Sequence, residues 1–385
     1  MQTPTSPRSP SSPAFDQADL KAADALECDR FALFQIMQEA FQQAVDKAGR
    51  HEFNYRIGGK LIRLRFAGES LVPHITRAFA HLACASKAQP DLVLCIWDSA
   101  STGRSLPLLI SSLVRLLRLT WLEHRGARGE IIEYNSPRFR AALHGHDSNM
   151  LSLLDLQERI GFLWVEKDSD IPWYETGAPL RTLLYWWFSH LGQQMVHGGA
   201  IGTKSGGLLL GGKGSSGKST TALASLDSSL LYAGDDYALI ATEPQPFVHS
   251  LYNTAKVKGE ADFARFPWIA AQICNAERIG AGAEKPMMFL HEHRPEKIVS
   301  GFPLKAVVLP RYIPGTDRCK IVPVAPESAL KAIAQSTVTQ LTGAGSEALR
   351  ALSQLVHGVP CYLVGLGAHL EEIPQVMLEL LARHA

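Results

Sequence analysis

Residues 212–219 read Gly212-Lys213-Gly214-Ser215-Ser216-Gly217-Lys218-Ser219, and Thr220 follows. The segment before this glycine-rich loop, residues 207–211, is short and apolar, which is typical of a strand buried on both faces. The segment after it, residues 220–226, is rich in Ala and Leu and predicts a helix. A loop between such a strand and such a helix directs backbone N–H groups and the positive end of the helix dipole at one anion. The pattern therefore predicts a phosphate-binding loop (P-loop).

The nature of the anion depends on the two residues after the last glycine. Lys218 can contact the outer phosphates of a nucleoside triphosphate, and the Ser219 hydroxyl can ligate Mg²⁺. The same residues also match G-x-G-x-x-G, and Asp235 lies near the place where a dinucleotide-binding fold has its ribose acid. A dinucleotide site needs neither an ammonium nor a hydroxyl at these two positions. The sequence thus favours a nucleoside triphosphate with Mg²⁺, and a dinucleotide is the alternative.

Two further polar features flank the loop. His197 lies in the short apolar stretch 195–201, and Asp235-Asp236 stand where one apolar strand ends and a second begins. Adjacent carboxylates at a strand end repel each other and lose hydration, so a cation or a reacting proton gives a better reason for them than folding does. A solvated turn and a hydrogen-bonded surface histidine are the alternatives. If these strands are neighbours in one sheet, the three features converge on a bound γ-phosphate, as phosphoryl transfer requires.

A family resemblance rests on these same residues. His197-Gly198, the loop through Lys218-Ser219, and Ala233-Gly234-Asp235-Asp236 resemble the core of HPr kinase/phosphorylase. That family is a P-loop family of the phosphoenolpyruvate carboxykinase type. The resemblance implies ATP as the nucleotide, a C-terminal α/β domain of this type, and a homo-oligomer, since relatives of this family form rings.

The resemblance also implies a role for each matched side chain. Lys218 would contact the β- and γ-phosphates, and residues 212–220 would bind the nucleotide as a whole. Ser219 would ligate Mg²⁺ with the help of Asp235. Asp236 would be the general base that deprotonates an acceptor hydroxyl, and His197 would orient or stabilise the site.

The match covers residues 196–240 and then ends. The family's Arg-Gly-containing acidic signature after the paired acids is absent from residues 249–260, although Glu260 falls near the offset of a second metal contact. This departure speaks against HPr as the substrate and against reverse phosphorolysis. The sequence looks closer to HPr-kinase-like proteins of peptide-maturation systems, some of which resemble lasso-peptide kinases. We therefore expect an ATP-dependent kinase acting on serine of a peptide or protein, with a small-molecule kinase, a nucleotide-binding switch or assembly factor, and an NTP hydrolase as alternatives.

Basic side chains beyond the matched region have two interpretations. Lys256 and Lys258 alternate in a strand-like run, so both side chains face one side of the strand. In one interpretation that side is solvated. In the other, one of the lysines neutralises charge on the phosphates or on an acidic acceptor. Lys285, Arg294 and Lys297 accompany a glycine-containing segment at 280–282. That composition suits a mobile lid closing over the nucleotide.

The length and pattern of the chain predict more than one domain. At 385 residues and 46% hydrophobic composition it can bury a large core. We expect a disordered tail at 1–29, a strand-rich α+β domain at 30–175 for recognition or dimerisation, and the P-loop kinase domain at 176–385. Alternating residues around Gly58-Gly59 predict a β-hairpin within the first domain.

Composition also limits the partners and the compartment. A formal net charge of +1 gives no electrostatic footprint for nucleic acid. Six cysteines without zinc-ligand spacing are typical of buried thiols in a reducing compartment, and the Ser/Thr/Pro tract at 1–13 lacks the apolar core of a secretory signal. The longest apolar run, 106–122, is interrupted by Arg115 and Arg118. These features predict a cytoplasmic protein that binds neither nucleic acid nor membrane.

Overall fold

The computed structural model describes residues 17–107, 110, 128–144, 149–277 and 284–384. Over these ranges the protein is α/β, with a six-stranded sheet formed by the first part of the chain and a larger mixed sheet formed by the second. The α/β class agrees with the prediction. No helix in this described part has both the length and the apolar character needed to cross a membrane.

The first sheet has the strand order β1-β2-β3-β6-β5-β4. Its strands are β1 (Arg50–Ile57), β2 (Lys60–Ala67), β3 (Leu92–Asp98), β4 (Phe139–His144), β5 (Met150–Asp155) and β6 (Ile160–Val165). The helices of this part are α1 (Gln17–Ala48), α2 (Val72–Thr76) and α3 (Ser99–Thr102). The predicted hairpin is present, and both turn glycines have positive φ, which side chains with a Cβ rarely adopt. Helix α1 packs on the sheet through aromatic pairs such as Phe41 with Trp97, whose ring centroids are 5.6 Å apart.

Helix α1 begins earlier than the sequence suggests. Residues 17–29, which were expected in the disordered tail, belong to this helix, and only residues 1–16 of that tail lie outside the described residues. The Ser/Thr/Pro tract ends at Pro13, and the chain that follows is rich in Ala and Leu, which have high helix propensity. A pair between Arg30 and Glu27 at 2.7 Å, three residues apart, supports the helix on its surface.

The larger sheet carries the predicted loop. Its strands are β7 (Gln194–Val196), β8 (Gly199–Thr203), β9 (Gly206–Leu210), β10 (Leu231–Gly234), β11 (Ala238–Ala241), β12 (Phe247–Ser250), β15 (Gly301–Tyr312), β16 (Lys320–Pro323) and β17 (Cys361–Leu366), while β13 (Thr254–Lys256) and β14 (Met287–Phe289) form a separate pair. The helices are α4 (Trp173–Gly177), α5 (Arg181–His190), α6 (Lys218–Ser225), α7 (Glu260–Arg265), α8 (Leu290–His293), α9 (Pro326–Val338), α10 (Ser346–Gly358) and α11 (Glu372–Ala382).

Strand direction gathers several loops at one edge of this sheet. Strands β9, β15 and β17 are parallel neighbours. Strand β8 is antiparallel to both β9 and β10, so β10 runs in the same direction as β9. The carboxyl ends of all four strands therefore lie at the same edge, which is where ligands bind in open α/β sheets.

The strand pairing between two neighbouring segments is interrupted where the paired acids lie. Residues 194–196 pair with 238–240, and residues 200–202 pair with 231–234, so the two segments run side by side in opposite directions. Between these two ladders the pairing is replaced by one bond, from the Gly198 N–H to the Asp236 carbonyl at 3.1 Å. His197-Gly198 on one segment thus faces Asp235-Asp236 on the other.

The two parts of the chain share a hydrophobic core. Residues 182–188 of α5 are all buried, and their cluster includes side chains from both sheets. The hairpin turn at Gly58 lies against the second sheet, because a Cβ there would be 2.7 Å from Leu239 and 2.8 Å from Phe188. The division into domains at 30–175 and 176–385 remains a prediction.

The cysteines only partly follow the sequence prediction. The burial of five of the six side chains is described. Cys95 and Cys361 are buried, as predicted, but Cys274 is exposed. The prediction of buried thiols is therefore wrong for Cys274, because composition does not locate an individual side chain.

Gly198 permits the close approach at the break between β7 and β8. A Cβ at this position would lie 2.6 Å from the carbonyl oxygen of Leu210, a backbone atom that cannot rotate away. We expect Gly198→Ala to lower the free energy of unfolding by about 1–3 kcal/mol, the usual cost of overpacking. Urea denaturation followed by circular dichroism measures this change. Gly358→Ala is the control, because Gly358 lies within α10 and a Cβ there would contact nothing within 4 Å; equal stability of the two variants would contradict the account.

Candidate active site

The glycine-rich loop has the backbone form that an anion-binding turn needs. Gly217 is the N-cap of α6 with φ 114°, and Gly212 has φ 124°, both outside the range that other residues adopt readily. Lys218, the first residue of α6, is 7% exposed and turns back over the loop. Its ammonium donates to the carbonyls of Gly212 at 2.7 Å and Lys213 at 3.1 Å. The backbone amides at the start of α6 and the Lys218 ammonium can therefore contact the same bound anion.

Most of the predicted nucleotide-binding residues line one cleft of about 400 Å³. Those on its wall are Gly214, Ser215, Gly217, Lys218, Ser219 and Thr220. Gly212 and Lys213 form the start of the loop, where their carbonyls hold Lys218, and the Lys213 side chain is exposed. Ser216 hydrogen-bonds through its N–H to the Lys213 carbonyl at 3.3 Å.

Asp235 is the more buried of the paired acids. It is 4% exposed and lines the cleft beside Ser219. Burial and the neighbouring charge of Asp236 raise the pKa of Asp235 to about 6, although the Ser219 hydroxyl and the Lys218 charge oppose this shift. Its Oδ1 is buried and has no hydrogen-bond partner among the described residues.

An unpartnered carboxylate oxygen beside a hydroxyl fits a divalent cation. Mg²⁺ prefers oxygen ligands and is usually held by one or two carboxylates, waters and substrate phosphates rather than by an all-protein cage. Accordingly, no three His, Cys, Asp or Glu side chains gather into a metal site in the described ranges. Ser219 and Asp235, the residues predicted for Mg²⁺, are therefore suitable donors.

Asp236 is held between two partners. Its Oδ1 is 3.2 Å from His197 Nε2, and its Oδ2 is 2.7 Å from the ammonium of Lys256. Burial alone would raise the pKa of Asp236, but the charge of Lys256 and the hydrogen bond with His197 hold that pKa well below its usual range. The Asp236 side chain is 23% exposed and faces the cleft. It is therefore an ionised carboxylate within reach of a bound molecule.

A chain of hydrogen bonds fixes the orientation of His197. Arg181 donates to the Tyr237 hydroxyl at 2.8 Å, so that hydroxyl donates onward to Gln340 Oε1 at 2.8 Å. This orients the Gln340 amide with its Nε2 3.4 Å from Nδ1 of His197. An amide N–H directed at Nδ1 leaves the ring proton on Nε2, where it is donated to Asp236.

Further contacts support this chain from helices α4 and α9. Glu175 pairs with Arg181 at 3.3 Å, and burial raises the pKa of Glu175. The backbone N–H of His197 donates to the Thr337 hydroxyl at 3.1 Å. Sequence analysis missed Arg181, Thr337 and Gln340, because none of them belongs to a recognisable motif; Thr337 and Gln340 lie at and just after the end of α9, far along the chain from His197. Only the fold brings them to the site.

The predicted basic residues separate into two groups. Lys256, Lys258 and Lys285 line the cleft. By contrast, Arg294 pairs with Asp227 at 2.8 Å, and Lys297 donates to a backbone carbonyl near the end of α6. The lid prediction is therefore wrong for Arg294 and Lys297, which anchor surface structure, and residues 280–282 of that segment lie outside the described residues.

The acid that lines the cleft in addition to Asp235 and Asp236 is Asp262 rather than Glu260. Glu260 is exposed in the first turn of α7 and does not line the cleft. Asp262 is 5% exposed, accepts from the Lys258 N–H at 2.7 Å and pairs with Arg265 at 3.2 Å. Glu260, which falls near the offset of the family's second metal contact, thus does not reach the cleft. Residues two apart at a helix start point in different directions, so an offset alone could not choose between them.

Comparison with solved structures gives a distant similarity. No protein family model matches the chain, and no curated protein sequence matches it. The chain is similar to the HPr(Ser) kinase/phosphatase from Coxiella burnetii, with 11% sequence identity and a TM-score of 0.27, over 50% of this chain and 95% of that one. A likeness of this extent defines neither the detailed fold nor the activity of the present chain.

Proposed function

We propose that the protein is an ATP-dependent kinase that transfers the γ-phosphoryl group to a hydroxyl acceptor. The observation that carries the proposal is the position of the Asp236–His197 pair, 3.2 Å apart, on the wall of the cleft that also contains Lys218 and Ser219. Phosphoryl transfer needs a cation on the transferring group, ligands for Mg²⁺, and a base for the acceptor proton. The domain layout we propose, a C-terminal HPr kinase/phosphoenolpyruvate carboxykinase-like P-loop domain, accompanies this function.

The glycine-rich loop and Lys218 would bind the triphosphate. Burial lowers the pKa of Lys218, while the charges of Asp235 and Asp236 act to raise it. Ser219 and Asp235 would hold Mg²⁺, which supplies neutralisation of the charge on the β- and γ-phosphates. Backbone N–H groups at the start of α6 complete the anion site.

Asp236 would orient the acceptor hydroxyl and accept its proton. A bound triphosphate would bring negative charge close to Lys256, and that charge would give Lys256 a second partner beside Asp236. His197 would keep one carboxylate oxygen in place through its fixed Nε2–H donor. A base with a low pKa suits a reaction whose transition state is loose and in which positioning outweighs proton abstraction.

The acceptor end of the cleft carries excess positive charge. Lys258 and Lys285 are exposed on its wall, and each lowers the pKa of Lys218 through charge repulsion. This charge supports an acidic acceptor, and serine in a peptide or protein is the acceptor we propose first. A hydroxylated small molecule is the second. The first sheet would serve recognition or self-association, with a homo-oligomer as the proposed assembly.

The fate of labelled phosphate tests the proposal. Wild-type protein incubated with [γ-³²P]ATP, Mg²⁺ and a peptide and metabolite fraction is expected to transfer label to one acceptor. Label found only as free phosphate would identify an NTP hydrolase instead. ATP binding with no turnover of either kind would favour the nucleotide-binding switch.

Lys256 should set the pH dependence of the reaction. Its charge lowers the pKa of Asp236, and Asp236 acts in its ionised form. Lys256→Met removes the charge, so the pKa of Asp236 rises and the acidic limb of the kcat/KM profile moves to higher pH. Rates measured between about pH 4 and pH 8 give the profile. Lys258→Met, from the same chain segment but without contact to Asp236, should leave the limb where it is; an unmoved limb in Lys256→Met would contradict the assigned roles.

A further inference from the structure

The order of strand ends along the cleft gives a direction for the nucleotide. Strand β9 ends in the P-loop, and Asp235 and Asp236 follow β10, two strands away on one side. Strands β15 and β17 end on the other side of the loop. Because adjacent strands are about 4.8 Å apart, β17 lies about 10 Å from β9 across the sheet. If the γ-phosphate faces the paired acids, the nucleoside must extend toward β15 and β17.

The cleft wall on that side is apolar. Tyr312 ends β15 and Leu366 ends β17, while Leu370 and Ile373 follow at the start of α11. Leu366 reaches the P-loop itself, since its Cδ1 is 2.6 Å from the Cβ position at Gly217. We call these four side chains, Tyr312, Leu366, Leu370 and Ile373, the apolar wall. It continues the phosphate site without a gap.

The backbone beside the apolar wall has its hydrogen bonds directed away from the cleft. The Gly367 N–H donates to Cys319 Sγ at 3.5 Å, and the Ala368 N–H donates to the Thr316 carbonyl at 3.1 Å. Among the described cleft-lining residues that follow residue 300, which are Tyr312, Leu366, Gly367, Ala368, Leu370 and Ile373, the Tyr312 hydroxyl is the one polar side-chain group. Tyr312 is 54% exposed. Few groups are therefore available to read the edge of a base.

We propose that the apolar wall binds the nucleoside of the phosphate donor by shape and stacking, and that it accepts adenine and guanine nucleotides almost equally. The inference rests on the proposed function, because it takes the P-loop as the triphosphate site. A site that hydrogen-bonds its ligand rejects an analogue strongly, whereas an apolar pocket discriminates weakly between similar shapes. Aromatic stacking is likewise tolerant of base identity, since every base has a π-face. The substrate class is thus purine nucleoside triphosphates in general.

Calorimetric titration separates the base from the phosphates. The probes are the non-hydrolysable β,γ-imido analogues of ATP and GTP, together with tripolyphosphate, each with Mg²⁺. We expect the two nucleotides to bind wild-type protein with Kd values within about fivefold, in keeping with weak discrimination by an apolar pocket. Tyr312→Ala and Leu370→Ser should weaken both nucleotides in parallel, by about fivefold or more, and leave tripolyphosphate unchanged. Leu349→Ala, an exposed apolar side chain on α10, is the control and should change nothing.

The possible results test the nucleoside inference and the P-loop assignment separately. A preference of more than about 30-fold for one base, or unchanged nucleotide binding in both wall variants, overturns this inference and leaves the kinase proposal standing. If neither nucleotide nor tripolyphosphate binds, the P-loop assignment fails and the inference fails with it. Parallel weakening of both nucleotides with intact tripolyphosphate binding supports it.

Discussion

Asp236→Asn is expected to lower the rate of phosphoryl transfer by about 10³-fold while ATP affinity stays within about threefold of wild type, in line with the usual contribution of a general base. The substitution keeps the shape of the side chain and an acceptor oxygen for His197, but the amide cannot take the acceptor's proton. Lys218, which would bind the phosphates, is held by the carbonyls of Gly212 and Lys213 rather than by Asp236. Single-turnover transfer from labelled ATP measures the rate, and calorimetry measures the affinity.

A second buried acid supplies the control for this variant. Asp262 lines the same cleft and is more buried than Asp236, but its contacts are with Lys258 and Arg265. We expect Asp262→Asn to retain phosphoryl transfer within about tenfold, because structural ion pairs influence a reaction less than the base does. Wild-type transfer by Asp236→Asn would remove this residue from catalysis. In a nucleotide-binding switch, partner binding would survive Asp236→Asn intact and no transfer would exist to lose.

Lys218→Met is expected to weaken ATP binding by about 100-fold and to reduce transfer by at least about 10³-fold. The ammonium is buried in the loop, where its charge acts on phosphates with little screening by water. It also holds the carbonyls of Gly212 and Lys213, so its removal loosens the loop as well as removing the charge. Calorimetry with the ATP analogue and the labelled-transfer assay measure the two effects.

Lys213→Met is the matched control in the same loop. The Lys213 side chain is exposed, and its backbone carbonyl, which accepts from Lys218, is unchanged by the substitution. We expect affinity and transfer to stay within about threefold of wild type, as for an exposed charge in high dielectric. If Lys218→Met behaved like Lys213→Met, the glycine-rich loop would not be the active centre.

The sequence predicted those parts of the site that local pattern determines. The glycine spacing and the residues around it specify a strand, a turn with positive φ and a helix, and the structure has β9, the loop and α6 in that order. The hairpin around Gly58-Gly59 was predictable for the same reason. The adjacent acids at a strand end could be recognised from the sequence, because two neighbouring carboxylates repel each other there. Each of these signals lies within a few consecutive residues.

The remaining parts of the site depend on contacts between distant segments. Gln340 lies 143 residues from His197, and no periodicity could indicate that the turn after α9 would orient the imidazole. Lys256 was noted as one of two lysines on a strand, but its pairing with Asp236 follows from the position of the β13–β14 pair. Likewise, only the three-dimensional structure shows that Asp262 rather than Glu260 lines the cleft. It also shows that Arg294 and Lys297 make surface contacts away from the cleft.

The position of a bound triphosphate tests the central claim most directly. A crystal structure with Mg²⁺ and the β,γ-imido analogue of ATP is the measurement. We expect the γ-phosphate to lie between the Lys218 ammonium and the Asp236 carboxylate, with Mg²⁺ against Ser219 and Asp235. A γ-phosphate pointing away from Asp236 and His197, or a nucleotide bound elsewhere on the protein, would contradict the account.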